Sequence, residues 1–428
     1  MQKPESGSCS GGRVPWALVA GILFLTAGRV CAQPWPLQES IQRAQSVSPS
    51  IQREQAALAK ERGQYEESGL WPNPSLQVTT GNELQQELPT DEVRVRNVVQ
   101  KVQLTQSIPV GGRTWADAEA AEHSVSAARF GVTGTALSVA HETARLHQRL
   151  YHAQASVAMA ERQLKQAERV EGIGKGRADA GDIAPREASR LSVLAAETQA
   201  TLSDARRQFA TVRERFRNQL NLAGSEPLRA QGPLPVEAPP GIGELEARLA
   251  AHPELTQRRN QEESARARVR RARAARIPDV NLTLGHKRFE IMGESENAVS
   301  VGVGVELPLW TTYAGRAASA RGEADESRQQ VLEKRRGLER ELRTAHESLT
   351  RLLTRLKRHR KRILEPSRNV LAKSEQGYRA GDVTLTELID ATNTVWRAER
   401  TEAELLLEAR TAQLKLKEAA GLAPGESM

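Results

Sequence analysis

The sequence is poor in the residues that usually build a compact globular core. Phe, Trp and Tyr make up only 4% of its 428 residues, whereas Ala, Arg, Glu, Gln and Leu predominate. Such a composition is typical of long helices and coiled coils. Beyond the N-terminal segment there is also no run of 18 apolar residues, which excludes a transmembrane helix there. We therefore expect an extended and mostly helical chain.

Cysteine is almost absent, and both copies lie near the N-terminus. Cys9 and Cys31 fall within residues 1–32, which show a basic start, an apolar stretch and a small-x-small ending. This is the pattern of a cleaved signal peptide. Cleavage after Ala32 would leave a mature chain without cysteine, which needs no redox control in an oxidising compartment. The sequence therefore predicts an exported protein.

Motifs for an enzyme, a cofactor or a metal ion are also missing. The eight histidines contain no HxxxH or HExxH pair, and without cysteine a tight zinc site is not expected. Gly172, Gly174 and Gly176 are not followed by the Gly-Lys-Ser/Thr that a phosphate-binding loop requires. The sequence therefore predicts no catalytic residue, no cofactor and no metal site.

The basic charge of the chain raises the question of nucleic-acid binding. The formal net charge is +8 and the isoelectric point is near 9.7, values compatible with a nucleic-acid-binding protein. The basic clusters at 266–276 and 355–362, however, lie within helical patterns that also contain acids. Solvated helix faces explain such clusters, and export argues against nucleic acid as a partner.

The chain contains an internal duplication with a period of about 200 residues. Three pairs of landmarks show it: Gly181-Asp182 and Gly381-Asp382, Pro109 and Pro308, and Pro74 and Pro278. This period is far longer than that of solenoid repeats. We predict a first repeat at 33–225, a proline-rich linker at 226–242 and a second repeat at 243–428. Each repeat reads as helix, two strands, very long helix, tight turn and long helix.

Four short runs alternate between apolar residues and small or polar residues, as β-strands do. This pattern fits a soluble antiparallel sheet with one buried face, and it also fits a transmembrane barrel whose polar side lines water. Four strands cannot close a barrel, since the smallest have about eight, so in an exported chain several copies would have to contribute. The apolar residues are Leu76 and Val78; Val98, Val102, Leu104 and Ile108; Val280, Leu282 and Leu284; and Val299, Val301, Val303, Val305 and Leu307.

Long helical patterns fill most of the remaining sequence. The helix from 113 to about 170 would span about 85–90 Å at 1.5 Å per residue. Apolar residues at heptad spacing, ending at Ile363, predict a coiled-coil seam, and Pro366 predicts a kink shortly after it. The predicted helices cover 36–69, 113–170, 183–222, 243–276, 316–376 and 383–421.

Several motifs resemble those of the TolC-type outer membrane factors. The most specific is YRAG at 378–381 followed by ELIDAT at 387–392, which is similar to the second periplasmic turn of that family. PNPSL at 72–76 and the strand endings IPVGGR at 108–113 and LPLWTTYAGR at 307–316 are also typical. The resemblance covers essentially the whole mature chain.

This resemblance implies an α+β homotrimer made mostly of long α-helices. Each chain would contribute four strands to a shared twelve-stranded transmembrane β-barrel, and its coiled-coil helical hairpins would form a periplasmic α-barrel. The implied partners are a periplasmic adaptor (membrane fusion) protein, an inner-membrane pump and the lipid of the outer membrane. The short mature length and the PNPSL motif are most similar to the cobalt–zinc–cadmium efflux subclass.

The resemblance also implies roles for the two turns. Gly181, Asp182, Gly381 and Asp382 would dock the adaptor. The residues themselves add that each aspartate follows a glycine and precedes a helix, which predicts N-capping by Asp182 and Asp382.

A gate is implied next to the second turn. Glu387 and Asp390 are spaced i,i+3 and share one helix face, so three chains would concentrate six carboxylates around an axis. Solvated acids near a helix start are the alternative explanation. Tyr378 and Glu187 match the positions of side-chain links that hold the family's closed state. Val383 occupies a position at which the family often has arginine, which predicts a weaker or a differently wired closure.

We therefore predict a passive outer membrane channel of a tripartite (RND-type) efflux system, conducting heavy-metal cations if the subclass resemblance holds. Alternatives are the duct of a type I protein secretion system or of a drug efflux system. A secreted coiled-coil scaffold without a pore is the alternative from a different class.

Overall fold

The computed structural model describes most of the predicted mature chain, at residues 33–84, 96–224, 228–291, 294–310 and 312–428. The predicted signal peptide, with Cys9 and Cys31, lies outside these residues.

Both repeats contain two strands followed by a long helix and a returning helix. The first half consists of β1 (Gln33–Pro36), α1 (Leu37–Val47), α2 (Pro49–Glu67), β2 (Ser75–Leu84), β3 (Arg96–Ile108), α3 (Arg113–Asp179), α4 (Pro185–Gln219) and β4 (Leu228–Gln231). The second half consists of α5 (Ile242–Arg248), a 3₁₀ turn (Leu249–Ala251), α6 (Pro253–Ala274), β5 (Val280–Ile291), β6 (Glu294–Val305), α7 (Ala314–His359), a π-helical turn (Arg360–Leu364), α8 (Glu365–Ala380) and α9 (Leu385–Ala419). None of the described helices is long and apolar enough to cross a membrane.

The four predicted strands form one antiparallel sheet in the order β2-β3-β5-β6. The two repeats meet where β3 pairs with β5, with Thr105 opposite Thr283. β2 and β6 are the edge strands, and neither has a second partner among the described residues. The sheet of a single chain is therefore open on both sides.

The predicted apolar side of this sheet is exposed to solvent in the single chain. Leu76 is 67% exposed and Val299 is 73% exposed, and Val301 and Val303 are similarly open. Side chains of successive strand residues point to opposite faces, so most of the apolar residues lie on one face and most of the small or polar residues on the other. A large exposed apolar surface marks a site of contact with membrane or protein.

Two additional strands were not predicted from the sequence. β1 and β4 form a separate parallel pair in which Trp35 lies opposite Ala230. β4 falls within the segment predicted to link the repeats. Each strand has only four residues, which is too short to show a period-two pattern.

Two of the predicted helices are interrupted at proline. The helix predicted at 36–69 is divided at Ser48, and Pro49 begins a new helix. The helix predicted at 243–276 is divided at His252, and Pro253 begins α6. Proline lacks a backbone N–H and is favoured at the first helical position, where that donor is not needed. The predictions of continuous helices were wrong because Pro49 and Pro253 each begin a new helix.

The long helix α3 extends further than predicted, to Asp179, and contains 67 residues. It continues through the three glycines near its end although glycine costs about 1 kcal/mol relative to alanine in a helix. Gly174 explains part of this, because a Cβ atom placed there would lie 2.1 Å from Cδ1 of Leu191 on α4. The missing side chain thus allows the two antiparallel helices to approach closely.

The heptad seam is confirmed over most of α7, where Leu338, Leu342, Leu349 and Leu356 are buried. Its last predicted member, Ile363, is 48% exposed, whereas Leu364 is 3% exposed. The π-helical turn at Arg360–Leu364 inserts one residue into the helical repeat and shifts the buried face by one position. This turn ends two residues before Pro366, so the irregularity near the proline takes the form of a π turn.

Buried histidines connect the helices to other parts of the chain. In each case the ring Nε2 lies within hydrogen-bond distance of a backbone carbonyl, and a carbonyl can only accept, so Nε2 carries the proton. Burial is the main cause that lowers the pKa of three of these rings, His141, His147 and His252. The bonds join His141 to Leu422 (2.8 Å), His147 to Trp35 (2.9 Å), His252 to Glu418 (3.3 Å), His346 to Pro240 (3.0 Å) and His359 to Ala398 (2.8 Å).

Candidate functional site

The two turns that end the long helices have the same backbone geometry. Gly181 and Gly381 have φ angles of +79° and +89°, a left-handed conformation that glycine adopts without steric cost. The N–H of Asp182 donates to the carbonyl of Arg177 at 2.8 Å, and that of Asp382 donates to Gly377 at 2.9 Å. These bonds satisfy helix carbonyls that would otherwise lack a donor. The repeated Ala-Gly-Asp-hydrophobic sequence therefore encodes two equivalent chain reversals.

The prediction that the turn aspartates are N-caps was wrong. The cap of α4 is Ala184, which has no side-chain acceptor, and Asp182 lies two residues before this cap. The cap of α9 is Thr384, whose Oγ1 accepts from the N–H of Glu387 at 3.3 Å, and Glu387 Oε2 accepts from the N–H of Thr384 at 2.9 Å. This reciprocal pair is a capping box. Its sequence, Thr-x-x-Glu, could have been recognised in advance.

The capping box gives Glu387 a defined structural role. The backbone N–H of Thr384 and then its hydroxyl lower the pKa of Glu387 below its ordinary value, so the side chain is held in its charged form. Asp390 is also exposed and follows one helical turn later on the same face. The structure thus places both carboxylates on one face of α9, next to the second turn.

Contacts between the two hairpins occur close to the turns. The guanidinium carbon of Arg177 lies 5.2 Å from the ring centroid of Tyr378, which is cation–π geometry. Arg190 Nη1 donates to Thr386 Oγ1 at 2.8 Å. The first contact joins α3 to α8 and the second joins α4 to α9. We call residues 177–190 and 377–390 together the tip.

Tyr378 does not form a hydrogen bond with its predicted partner, Glu187. Within the part of the chain that the structure describes, the Tyr378 hydroxyl is buried without a hydrogen-bond partner, and Glu187 lies half-buried near the start of α4. The tyrosine is held instead through its ring by Arg177. Neither Arg177 nor Arg190 had a sequence signal, because both lie among many other arginines on helices.

Val383 replaces the expected arginine with a packing contact. A Cβ atom placed on Gly377 would lie 2.5 Å from Cγ2 of Val383, so the glycine leaves room for the valine side chain. The second turn is therefore closed by van der Waals packing at this position. In the described segments of the chain, no group of three His, Cys, Asp or Glu side chains could hold a metal ion.

The sequence and the fold are similar to those of known proteins. A family model described as "Outer membrane efflux protein" matches residues 40–222 and 245–422. These two matches cover well over half of the 428 residues. The chain belongs to the outer membrane efflux protein family. A comparison with curated protein sequences gives no match.

Solved structures of similar fold cover nearly the whole of this efflux protein. CusC is 16% identical with a TM-score of 0.75, over 90% of this chain and 92% of that one. VceC from Vibrio cholerae is 17% identical with a TM-score of 0.72, over 90% and 96%. The open state of MtrE from Neisseria gonorrhoeae is 20% identical with a TM-score of 0.71, over 90% and 89%. At these identities the likeness shows the fold.

The family explains several features of this efflux protein. It confirms the resemblance to TolC-type factors that the turn motifs indicated. Its members are outer membrane channels and not enzymes, in agreement with the missing catalytic motifs. The exposed apolar face of the sheet is the largest feature of the described chain that the single-chain fold leaves without a contact.

Proposed function

We propose that three copies of this chain form the outer membrane duct of a tripartite, RND-type efflux system. The observation that carries this proposal is the open four-stranded sheet with an exposed apolar face. In lipid, unpaired strand edges cost several kcal/mol per unsatisfied group, so membrane strands occur in closed barrels. Three sheets joined β6 to β2 would give a closed barrel of twelve strands with the apolar face outward.

The helices would continue the duct on the periplasmic side. α3 alone spans about 100 Å at 1.5 Å per residue, and in the trimer such helices would enclose an α-barrel below the sheet. The tip would then lie at its far end. There Gly181, Asp182, Gly381 and Asp382 would contact a periplasmic adaptor protein, which connects the duct to an inner-membrane pump.

The tip supplies a gate in this proposal. The contacts of Arg177 with Tyr378 and of Arg190 with Thr386 would keep the hairpins together in the closed duct, with Glu187 as a further candidate partner of Tyr378. Glu387 and Asp390 of three chains would form an acidic ring at the narrowest point. Acidic rings are a common basis of cation preference in pores. Opening would separate the hairpins, and cargo would diffuse through water.

Heavy-metal cations are the cargo that the cobalt–zinc–cadmium subclass would carry, and organic compounds or polypeptides pass through related ducts. The exposed apolar sheet argues against a secreted scaffold without a pore, because such a surface would be costly in water. The charge of the duct wall is a better guide to cargo than a fold likeness at 16% identity.

The duct proposal predicts a trimer of cleaved chains. We expect protein extracted from the outer membrane to contain three chains by light scattering in detergent, because one open sheet cannot be stable in lipid. Intact mass spectrometry of the same sample should place the N-terminus at Gln33. A stable monomer in the membrane extract, or retention of Met1, would contradict the assembly or the export respectively.

The gate proposal predicts a loss of cation preference when both carboxylates are neutralised. Glu387→Gln with Asp390→Asn removes the charge, while glutamine still supports the capping box. We expect the K⁺/Cl⁻ permeability ratio to fall roughly threefold, as a change of about one kT in local potential would cause. Planar bilayers with a KCl gradient measure this ratio.

A matched control for the gate test is Asp382→Asn. It removes a carboxylate from the same turn but before the start of α9. If the double variant and this control both retain the permeability ratio of the unmodified channel, Glu387 and Asp390 are ordinary solvated acids.

A further inference from the structure

Two threonines on the central strands define the polar face of the sheet. Thr105 and Thr283 are directly opposite each other in the register of β3 and β5. Their hydroxyl oxygens are 3.3 Å apart, so both side chains lie on the same face. Because the side chains of a strand alternate, residues four positions away on either strand also lie on this face.

Two lysines occupy that position. Lys101 and Lys287 are register partners, and each is four residues from one of the two threonines. Like charges directly opposite each other in a sheet are destabilising. The sequence nevertheless places the pair in the middle of the two central strands. Such a local cost without structural benefit is expected at functional positions.

No register neighbour of Lys101 in the described strands carries a negative charge. Its register partner on the other side, Thr79, is uncharged, and the neighbours Gln103 and Gly285 on the same face are also uncharged. Lys101 is exposed. Its charge is therefore directed into the space in front of the polar face.

Lys287 contributes less to the potential than Lys101 does, because it has an interaction partner of its own. Glu296 also lies diagonally across from it: the partner of Lys287 on β6 is Ala298, and Glu296 is two residues before that position. Diagonal neighbours in a sheet are about 7–8 Å apart, so the carboxylate offsets part of the charge on Lys287. Glu294 of β6 and Glu306 directly after this strand also lie on its polar side, but neither is a direct or diagonal register neighbour of Lys101. Lys101 therefore contributes most of the local positive charge.

We propose that Lys101, together with Lys287, forms a basic filter in the outer part of the duct that favours anionic over cationic solutes. This inference rests on the proposed trimer, in which the polar face lines the lumen and three chains contribute six lysines. Long lysine side chains on the wall of such a barrel stay close to passing ions, within about one Debye length of 10 Å at 0.1 M salt. Free divalent metal ions are then poor cargo, and anionic organic solutes are favoured.

The test is the ion preference of the purified channel in planar bilayers. Lys101→Gln with Lys287→Gln should raise the K⁺/Cl⁻ permeability ratio roughly threefold, which corresponds to a change of about one kT in potential. It should also weaken current block by citrate, a trivalent anion, added on the outer side. Lys101→Arg keeps the charge and should behave like the unmodified channel.

A matched control is available one residue from Lys287. Arg288 follows it on β5 and therefore points to the opposite, apolar side of the sheet. Arg288→Gln removes the same charge from the same strand and should leave both the permeability ratio and the citrate block unchanged.

The outcomes separate this inference from the proposed duct. If all variants form conducting trimers and the lysine double variant retains its permeability ratio and citrate block, the filter is refuted and the duct stands. If Arg288→Gln has the same effect as the double variant, the selectivity does not come from the polar face and the filter is refuted. If neither the unmodified chain nor any variant conducts, the proposed duct fails and the filter fails with it.

Discussion

Replacing Arg177 and Arg190 by alanine is expected to open the tip and to raise single-channel conductance. An exposed cation–π contact is worth about 0.5–1 kcal/mol and a net hydrogen bond about 0.5–1.5 kcal/mol. The two contacts would then stabilise the closed tip by roughly 1–2.5 kcal/mol per chain, and by about 3–7 kcal/mol if three chains open together. A change of about 5.5 kcal/mol converts a 1:99 population into 99:1.

Planar-bilayer recordings of purified trimers would measure this effect. The double variant should spend most of its time in a high-conductance state that the unmodified channel visits rarely. Arg186→Ala is the control, because it removes a positive charge from the same tip at a residue for which the described chain shows no partner in the second hairpin. Equal conductance of the double variant, the control and the unmodified channel would show that these contacts do not hold the gate.

The helical part of the protein is expected to lose stability as the pH falls below about 6.5. Burial lowers the pKa of His141, His147 and His252 from their ordinary value of 6.5. The unfolded chain therefore binds protons at a higher pH than the folded chain does, and acid favours unfolding. The stabilisation is complete above pH 6.5 and is lost as the pH falls towards the lowered values. Each unit of lowering corresponds to about 1.4 kcal/mol.

The hydrogen bonds of the histidine rings also indicate that acid destabilises the folded chain. The Nδ1 atom of His147 accepts a hydrogen bond from Gln148 at 3.1 Å, and that of His252 accepts from the N–H of Glu254 at 3.3 Å. Protonation of Nδ1 would remove both bonds. Around His141, Arg145 and Lys417 oppose the added charge whereas Glu418 favours it, and burial remains the largest effect.

Thermal unfolding followed by circular dichroism in detergent at pH 8 and pH 5 would check this expectation. We expect a Tm several degrees lower at pH 5. In the variant His141→Gln with His147→Gln this difference should shrink, even if the variant is less stable at both pH values, because its glutamines do not titrate. His286→Gln, at an exposed ring on the sheet, is the control. An unchanged difference in the double variant would contradict the assignment to these histidines.

Much of the fold could be predicted because its signals are long or repeated. The alternation in the strands correctly predicted the sheet, and the heptad spacing correctly predicted the buried face of α7. The errors arose where the signal is very short or depends on a single residue. The strand β1 is too short to show a pattern, and the breaks at Pro49 and Pro253 depend on single residues within otherwise helical sequence.

The site was predicted less completely, because its contacts join residues that are far apart in sequence. The position of Glu387 beside the second turn followed from a motif, but its bond to Thr384 depends on where α9 begins. Arg177 and Tyr378 are about 200 residues apart, and no local pattern indicates that a guanidinium lies over that ring. Register partners such as Lys101 and Lys287 become visible only when the strands are paired.

The two long arms of the chain have equal lengths. α3 has 67 residues, and its counterpart is built from segments of 46, 5 and 16 residues that together match this number. Each residue inserted into only one arm would move the turn at its end by about 1.5 Å along the helix axis and rotate it by about 100°. This displacement would separate Arg177 from Tyr378. We therefore expect a length change in one arm to be tolerated only with a matching change in the other. The lengths of the two repeats should then evolve together.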